Sequence, residues 1–155
     1  KLKKGKIDSR INFLNSLVKK IKDINYDFYG FENKEPIWGD SFYRALVNSK
    51  MGLNLSRGLP TKYYSSNRIA SLMGNGLLTF IDRKTQMHDF FNKNEIIFYD
   101  NIYDLSDKIN FYKKNNKSRI KIAKNGKKKY FQLFNELKTT KYIVDKSLGN
   151  KTNLY

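Results

Sequence analysis

Apolar positions recur along the chain with two alternating periods. Ile11, Leu14, Val18 and Ile21 fall at helical spacing, which predicts a helix over 10–24 with Ser9 as its cap and Lys19, Lys20 and Lys22 on a solvated face. Residues 26–31 are short and aromatic, with Gly30 near the end, and predict a strand. A turn over 32–36 then leads to Asp40, the expected cap of a helix with Phe42, Leu46 and Val47 inward. Residues 51–56 are apolar enough for a buried parallel strand, broken by Arg57, Gly58 and Pro60. Ser65, Ser66 and Asn67 offer side-chain oxygens to start a helix, and Gly74-Asn75-Gly76 ends it before an apolar strand over 77–81. A polar, irregular loop over 83–94 follows, then a strand over 95–99.

The last third is helical by pattern. Leu105, Ile109 and Tyr112 share one face of a helix over 102–114, after a turn at Asp100 and Asn101. Ile120, Ala123, Tyr130 and Phe134 recur through 117–135, a helix over 137–148 comes last, and 150–155 is expected to fray. The order αβαβαβ, loop, βααα predicts an α/β fold: a Rossmann-like parallel sheet with helices on both faces. Such sheets bind ligands at the carboxyl ends of their strands, and the loop over 56–67 leaves such an end.

Composition narrows this picture. The 155 residues suffice for one domain with a core, and eleven Tyr and eleven Phe exclude a disordered polycation. The absence of Cys removes disulfides, thiolate metal sites and cysteine nucleophiles, and fits a reducing compartment. No run approaches the ~20 apolar residues of a spanning helix. The start, KLKKGKID, has neither the apolar run of a signal peptide nor an initiator Met, so a domain cut from a longer chain is expected.

The net charge of +17 has two readings. One is an anionic partner: nucleic acid, a membrane surface or a phosphorylated substrate. The other is coding bias, since only six of the 31 basic residues are Arg and the rest are Lys. That scarcity makes the arginines informative, and Arg44, Arg57 and Arg68 fall in or beside the central stretch 51–82. Arginine is the better fork for phosphate oxygens.

The chemistry candidates centre on that stretch. A helix start preceded by Ser65, Ser66 and Asn67, followed by Arg68 and reached through Arg57 and Gly58, could cradle a diphosphate. An ordinary capped helix accounts for the same residues. Neither GxxxxGK[ST] nor GxGxxG occurs. Tyr63 and Tyr64 lie in the loop and could donate hydroxyls to sugar or phosphate, while Tyr29, Phe31 or Trp38 could stack a nucleobase or simply pack. His88, the only histidine, has Asp89 beside it and reads as an exposed loop residue; no metal-ligand spacing occurs. The lysine runs 113–117 and 127–129 lack a recognition-helix or RNA-sheet signature and read as a solvated helix face.

Taken in order, SKMGLNLSRG, YYSSNRIASLMGNGLLTFID, EIIFYDNIYDLSDKINFYKKN and RIKIAKNGKKKYFQLFN resemble the C-terminal half of group-1-type glycosyltransferases, most closely the spore-maturation-protein-like branch. The resemblance covers residues 26–135. It implies a GT-B architecture of two facing Rossmann-like domains, this one binding a nucleotide-diphospho-sugar for transfer to an acceptor held by an upstream domain. On that reading 1–25 is a leading helix, 26–136 the donor domain, and 137–155 a C-terminal helix and tail. The donor diphosphate would meet Arg57, Gly58, Ser65, Ser66, Asn67 and Arg68; Asn54 and Ser56 match the strand-end segment, Gly74 and Gly76 the turn. Asp100, Leu105, Arg119 and Gly126 match later elements.

Where the family often has a Glu contacting the donor ribose, this chain has Ser71, so Ser71, Tyr63 and Tyr64 are the ribose and sugar candidates and Phe31 and Trp38 the nucleobase candidates. The resemblance implies metal-independent, hexosyl-type transfer without a cofactor and with a general base upstream. A cytoplasmic protein is expected, and the +17 charge and lysine runs admit a peripheral position at the inner face of an anionic membrane, where the lysines would dock it. No specific nucleic acid is expected. The alternative is a basic, non-catalytic module for nucleic acid or an anionic membrane surface, and Ser71 leaves open a domain that has lost donor binding.

Overall fold

The computed structural model describes residues 2–3, 6–7, 9–31, 34–55 and 58–152. A short antiparallel pair, β1 (Leu2–Lys3) and β2 (Lys6–Ile7), precedes helix α1 (Ser9–Lys20). Then come α2 (Gly39–Asn48), β3 (Met51–Asn54), α3 (Arg68–Gly74), β4 (Leu78–Asp82), two single-turn 3-10 helices at Arg83–Thr85 and Met87–Asp89, and β5 (Ile97–Tyr99). Three helices follow: α4 (Ile102–Lys114), α5 (Asn116–Leu133) and α6 (Glu136–Ser147).

Strands β3, β4 and β5 form a parallel sheet in that order, with Met51 opposite Leu78, Asn54 opposite Ile81, and Phe80 opposite Ile97. The period of two along β4 and β5 divides the core. Leu78, Phe80, Ile97 and Tyr99 pack with Leu17 of α1 and Ile21 just after it, Leu105 and Ile109 of α4, and Ile122 and Ala123 of α5. Ile81, Ile96 and Phe98 face the other way, onto Ile69 and Met73 of α3 and onto Met87 and Phe91. Helices therefore cover both faces of a Rossmann-like α/β sheet.

Several elements depart from the pattern. Residues 26–31 form no strand: Tyr26 stacks on Phe28 at 5.3 Å and Phe28 meets Phe31 edge-on at 5.5 Å. These rings satisfy one another rather than pairing with the sheet. Helix α1 stops at Lys20, ahead of Asp23 at φ 60, and it buries Leu17 with Phe13 packed alongside, while Val18 is exposed. Helix α2 starts at Gly39, ahead of Asp40, whose carboxylate takes a hydrogen bond from Arg44 Nε at 2.7 Å instead of capping; Val47 is exposed. In α5 Ala123 is buried as expected, but the buried isoleucine is Ile122, not Ile120, which lies about 200° away around the helix. The loop over 83–94 is not open: Thr85, Met87 and Phe91 are buried in it. Of the expected frayed tail, Asn150 N–H donates to Asp145 carbonyl at 2.8 Å, and 153–155 lie outside the described residues.

Two glycines set how closely the layers approach. A Cβ at Gly52 would fall on the Leu72 side chain, and one at Gly126 on the Glu95 carbonyl oxygen. Arg119 Nη1 donates to the Lys50 carbonyl at 3.2 Å, immediately before β3. Lys50 and Glu95 both precede strands, so α5 runs across the amino ends of the sheet. The carboxyl ends are left for the loops.

Candidate functional site

Strand β3 ends on Asn54, which is 2 % exposed and accepts a hydrogen bond from Ser66 Oγ at 3.3 Å. A buried amide needs such a partner, and this one pins the start of the α3 segment to the strand end. Arg68, the first residue of α3, returns to the same strand end: its Nη1 donates to the Leu55 carbonyl at 2.8 Å. The Arg68 side chain is largely exposed, but its guanidinium is partly withdrawn from water where it meets Leu55. That desolvation, followed by the positive charge of Arg10, holds its pKa below the usual arginine value, and Tyr64 acts the other way. Arg10 of α1 is therefore close enough for its charge to act on Arg68.

The neighbouring loop is positioned as firmly. Tyr63 sits at φ 58, its N–H donates to the Thr85 carbonyl at 2.7 Å, and its ring meets Phe90 edge-on at 5.1 Å. Its hydroxyl donates to Asp89 Oδ2 at 2.6 Å, so the hydroxyl expected for sugar or phosphate is already engaged. His88 Nε2 lies 3.8 Å from the other oxygen of Asp89, and the half-exposed imidazole stands edge-on to Phe98. Gly58 is at φ +87 with open space where a Cβ would be, so a ligand can approach its backbone.

The ends of β4 and β5 carry a second charged group. Arg83 Nε meets Asp100 Oδ1 at 2.7 Å, and Lys108 Nζ bridges Asp104 Oδ2 and the Phe98 carbonyl, each at 2.7 Å. The Asp100 N–H donates to Asp104 at 2.9 Å. Burial alone would raise the Asp104 pKa. The Lys108 and Asp100 hydrogen bonds and the charges of Lys108 and Arg83 outweigh it and hold the carboxyl below its usual range.

The structure brings Asn54, Ser66, Arg68 and Tyr64 to one strand end, and Ser65 and Asn67 flank them in sequence. Asn67 is helical and its side chain makes no cap; Ser66 Oγ is 3.4 Å from the Arg68 N–H instead. Ser71 lies one turn beyond Arg68, with its hydroxyl on the Asn67 carbonyl at 3.5 Å. Ser56 and Arg57 lie outside the described residues. Arg44 is spent on Asp40, and Trp38, ahead of α2, is 80 % exposed. Phe31 lines a groove of about 430 Å³ with Tyr26, Phe28, Asn15, Val18 and Lys19, which Trp38 does not join. Arg10 is the residue that sequence reasoning missed. The scarcity argument that singled out Arg68 applied to it equally, but nothing local to residue 10 points to the end of β3.

A three-stranded parallel sheet with helices on both faces is of the Rossmann-like class, in which ligands bind at the carboxyl ends of the strands. A family model described as glycosyl transferase-like matches residues 10–137, from Arg10 to the first turn of α6, and the chain belongs to that family. Membership supports a role in glycosyl transfer. No curated protein and no solved structure matches the chain.

Proposed function

We propose that this chain is the donor-binding domain of a metal-independent glycosyltransferase, the C-terminal half of a GT-B pair, taking a nucleoside diphospho-sugar at the end of β3. The observation that carries the reading is Arg68, fixed on the Leu55 carbonyl with Arg10 in its field, in a chain of the glycosyl transferase-like family. Like charges held near one another favour an anion that both can neutralise. In the transfer, an acceptor oxygen displaces the nucleoside diphosphate from the anomeric carbon, and the acceptor proton passes to a base on the acceptor domain. The leaving diphosphate gains negative charge, which Arg68 and Arg10 are placed to offset. Gly58 and the loop after it contribute backbone N–H groups. The nucleobase has a platform in the groove of Tyr26, Phe28 and Phe31, which begins at Asn15, about 7.5 Å further along α1 than Arg10.

Titration calorimetry with UDP-, GDP- and ADP-sugars, on protein that includes the acceptor domain, tests this. Saturable heat with one of them, abolished by Arg68→Ala, is the expected result. Absence of heat with every nucleotide sugar overturns it.

A further inference from the structure

The lysines of α1 do not share one role. Lys20 is turned onto the Tyr103 ring, its Nζ 3.7 Å from the centroid, whereas Lys19 lines the groove of Tyr26, Phe28 and Phe31 with Asn15 and Val18. Asn15 and Lys19 stand four residues apart on α1 and are neighbours on one helix face. Neither side chain has a hydrogen-bond or ionic partner among the described residues. The third polar group of the groove, the Tyr26 hydroxyl, is already committed: it donates to the Ile21 carbonyl at 3.1 Å, and burial raises its pKa.

The rings form a fixed platform. The Gly30 N–H donates to the Lys34 carbonyl and the Lys34 N–H to the Phe31 carbonyl, each at 3.1 Å, which closes the turn beside Phe28 and Phe31. Aromatic faces hold every base, so the rings give affinity without choosing among bases. The choice falls to the two unpartnered polar groups. An ammonium has donors and no acceptor, and a primary amide has both. Side by side they present donor, acceptor and donor.

We infer, resting on the donor reading above, that the groove selects the acceptor–donor–acceptor edge shared by uracil and thymine. Lys19 Nζ donates to one ring carbonyl, the Asn15 side-chain oxygen accepts from the ring N3–H, and the Asn15 amide nitrogen donates to the second carbonyl. Adenine and cytosine carry an amino group in place of the first carbonyl and set a donor against the ammonium. Guanine meets the first two groups and turns its own amino group toward the third. In an apolar groove such mismatches leave polar groups unpaired, which discriminates more strongly than shape.

Titration calorimetry with UDP, dTDP, GDP, CDP, ADP and inorganic pyrophosphate, on protein that includes the acceptor domain, tests this. UDP or dTDP is expected to bind at least about tenfold tighter than ADP and CDP, with GDP between, and the two first arms show which sugar-linked form is preferred. Lys19→Met removes the preference and Asn15→Leu weakens UDP binding by a similar factor. Both leave Tm and the pyrophosphate affinity in place, because neither residue is in the core and pyrophosphate reports on the Arg68 site alone. Tightest binding by GDP, CDP or ADP, or a preference unmoved by both substitutions, overturns the inference and leaves the donor reading standing. Binding by pyrophosphate that no nucleotide improves on does the same. Absence of binding by every one of these compounds overturns both.

Discussion

The Tyr63 hydroxyl and the Asp89 carboxylate meet at 2.6 Å across 26 residues of chain. With the Tyr63 N–H on the Thr85 carbonyl, this makes the loop before α3 and the segment after β4 one mechanical unit beside the arginine site. Tyr63→Phe removes the hydroxyl bond and leaves the backbone bond. It should cost about 0.5–1.5 kcal/mol in urea unfolding, since both side chains are nearly half exposed, and weaken nucleotide-sugar binding only a few-fold.

Arg68→Lys should be as damaging to donor binding as a neutral substitution. Lysine is a compact point charge and cannot hold the Leu55 carbonyl with one branch while presenting another to phosphate. Calorimetry should show an affinity loss of about tenfold or more, with little change in Tm.

Three glycine-to-alanine changes should separate by sign. Gly126→Ala gains up to about 1 kcal/mol of helix propensity but drives a methyl into the Glu95 carbonyl oxygen, a backbone atom, and 3.1 Å from Met73 Cε. A net loss of about 2–3 kcal/mol in urea unfolding is expected. Gly52→Ala meets the Leu72 side chain, both Cδ methyls and Cγ, rather than backbone, and should cost less. Gly74→Ala, with Phe131 Cζ 3.9 Å away, has room and should be neutral or stabilising.

Asp104 makes stability depend on acid pH. Its folded pKa lies below the unfolded value, so its contribution is present above the unfolded pKa and is lost as pH falls through the folded one. Lys108→Met removes a hydrogen bond to Asp104 and leaves the Phe98 carbonyl without that donor. The stability gap between wild type and variant should be largest near neutrality and narrow below about pH 4, where the carboxyl protonates in both. Urea midpoints across pH check this.

Local signals explain what was legible in advance. Helix α4 came out at its expected bounds because Asn101 caps it twice, through the Tyr103 and Asp104 N–H groups, and its apolar period is regular. The turn after α3 was equally readable: Gly76 at φ +75 lets its own N–H reach the Met73 carbonyl and the Leu77 N–H reach Leu72. The 26–31 segment misled because aromatic content marks burial without saying whether the partner is a strand or another ring. Ile120 misled because α5 buries its Ile122 face against the sheet, a choice made by tertiary packing. At the site, Arg68 was visible from its place after a strand break. Arg10 and the Tyr63–Asp89 bond were not, because both depend on which distant segments the sheet brings together.

Helix α5 also bears on the order of events during synthesis. It contributes Ile122 and Ala123 to one face of the sheet, places Gly126 against Met73 of the other, and bonds to Lys50. A nascent chain that has made all three parallel strands still lacks the element that joins both halves of the core. Its sheet remains unsealed on the ribosome until residues near 126 have emerged, and a chain ending before them should be degraded rather than folded.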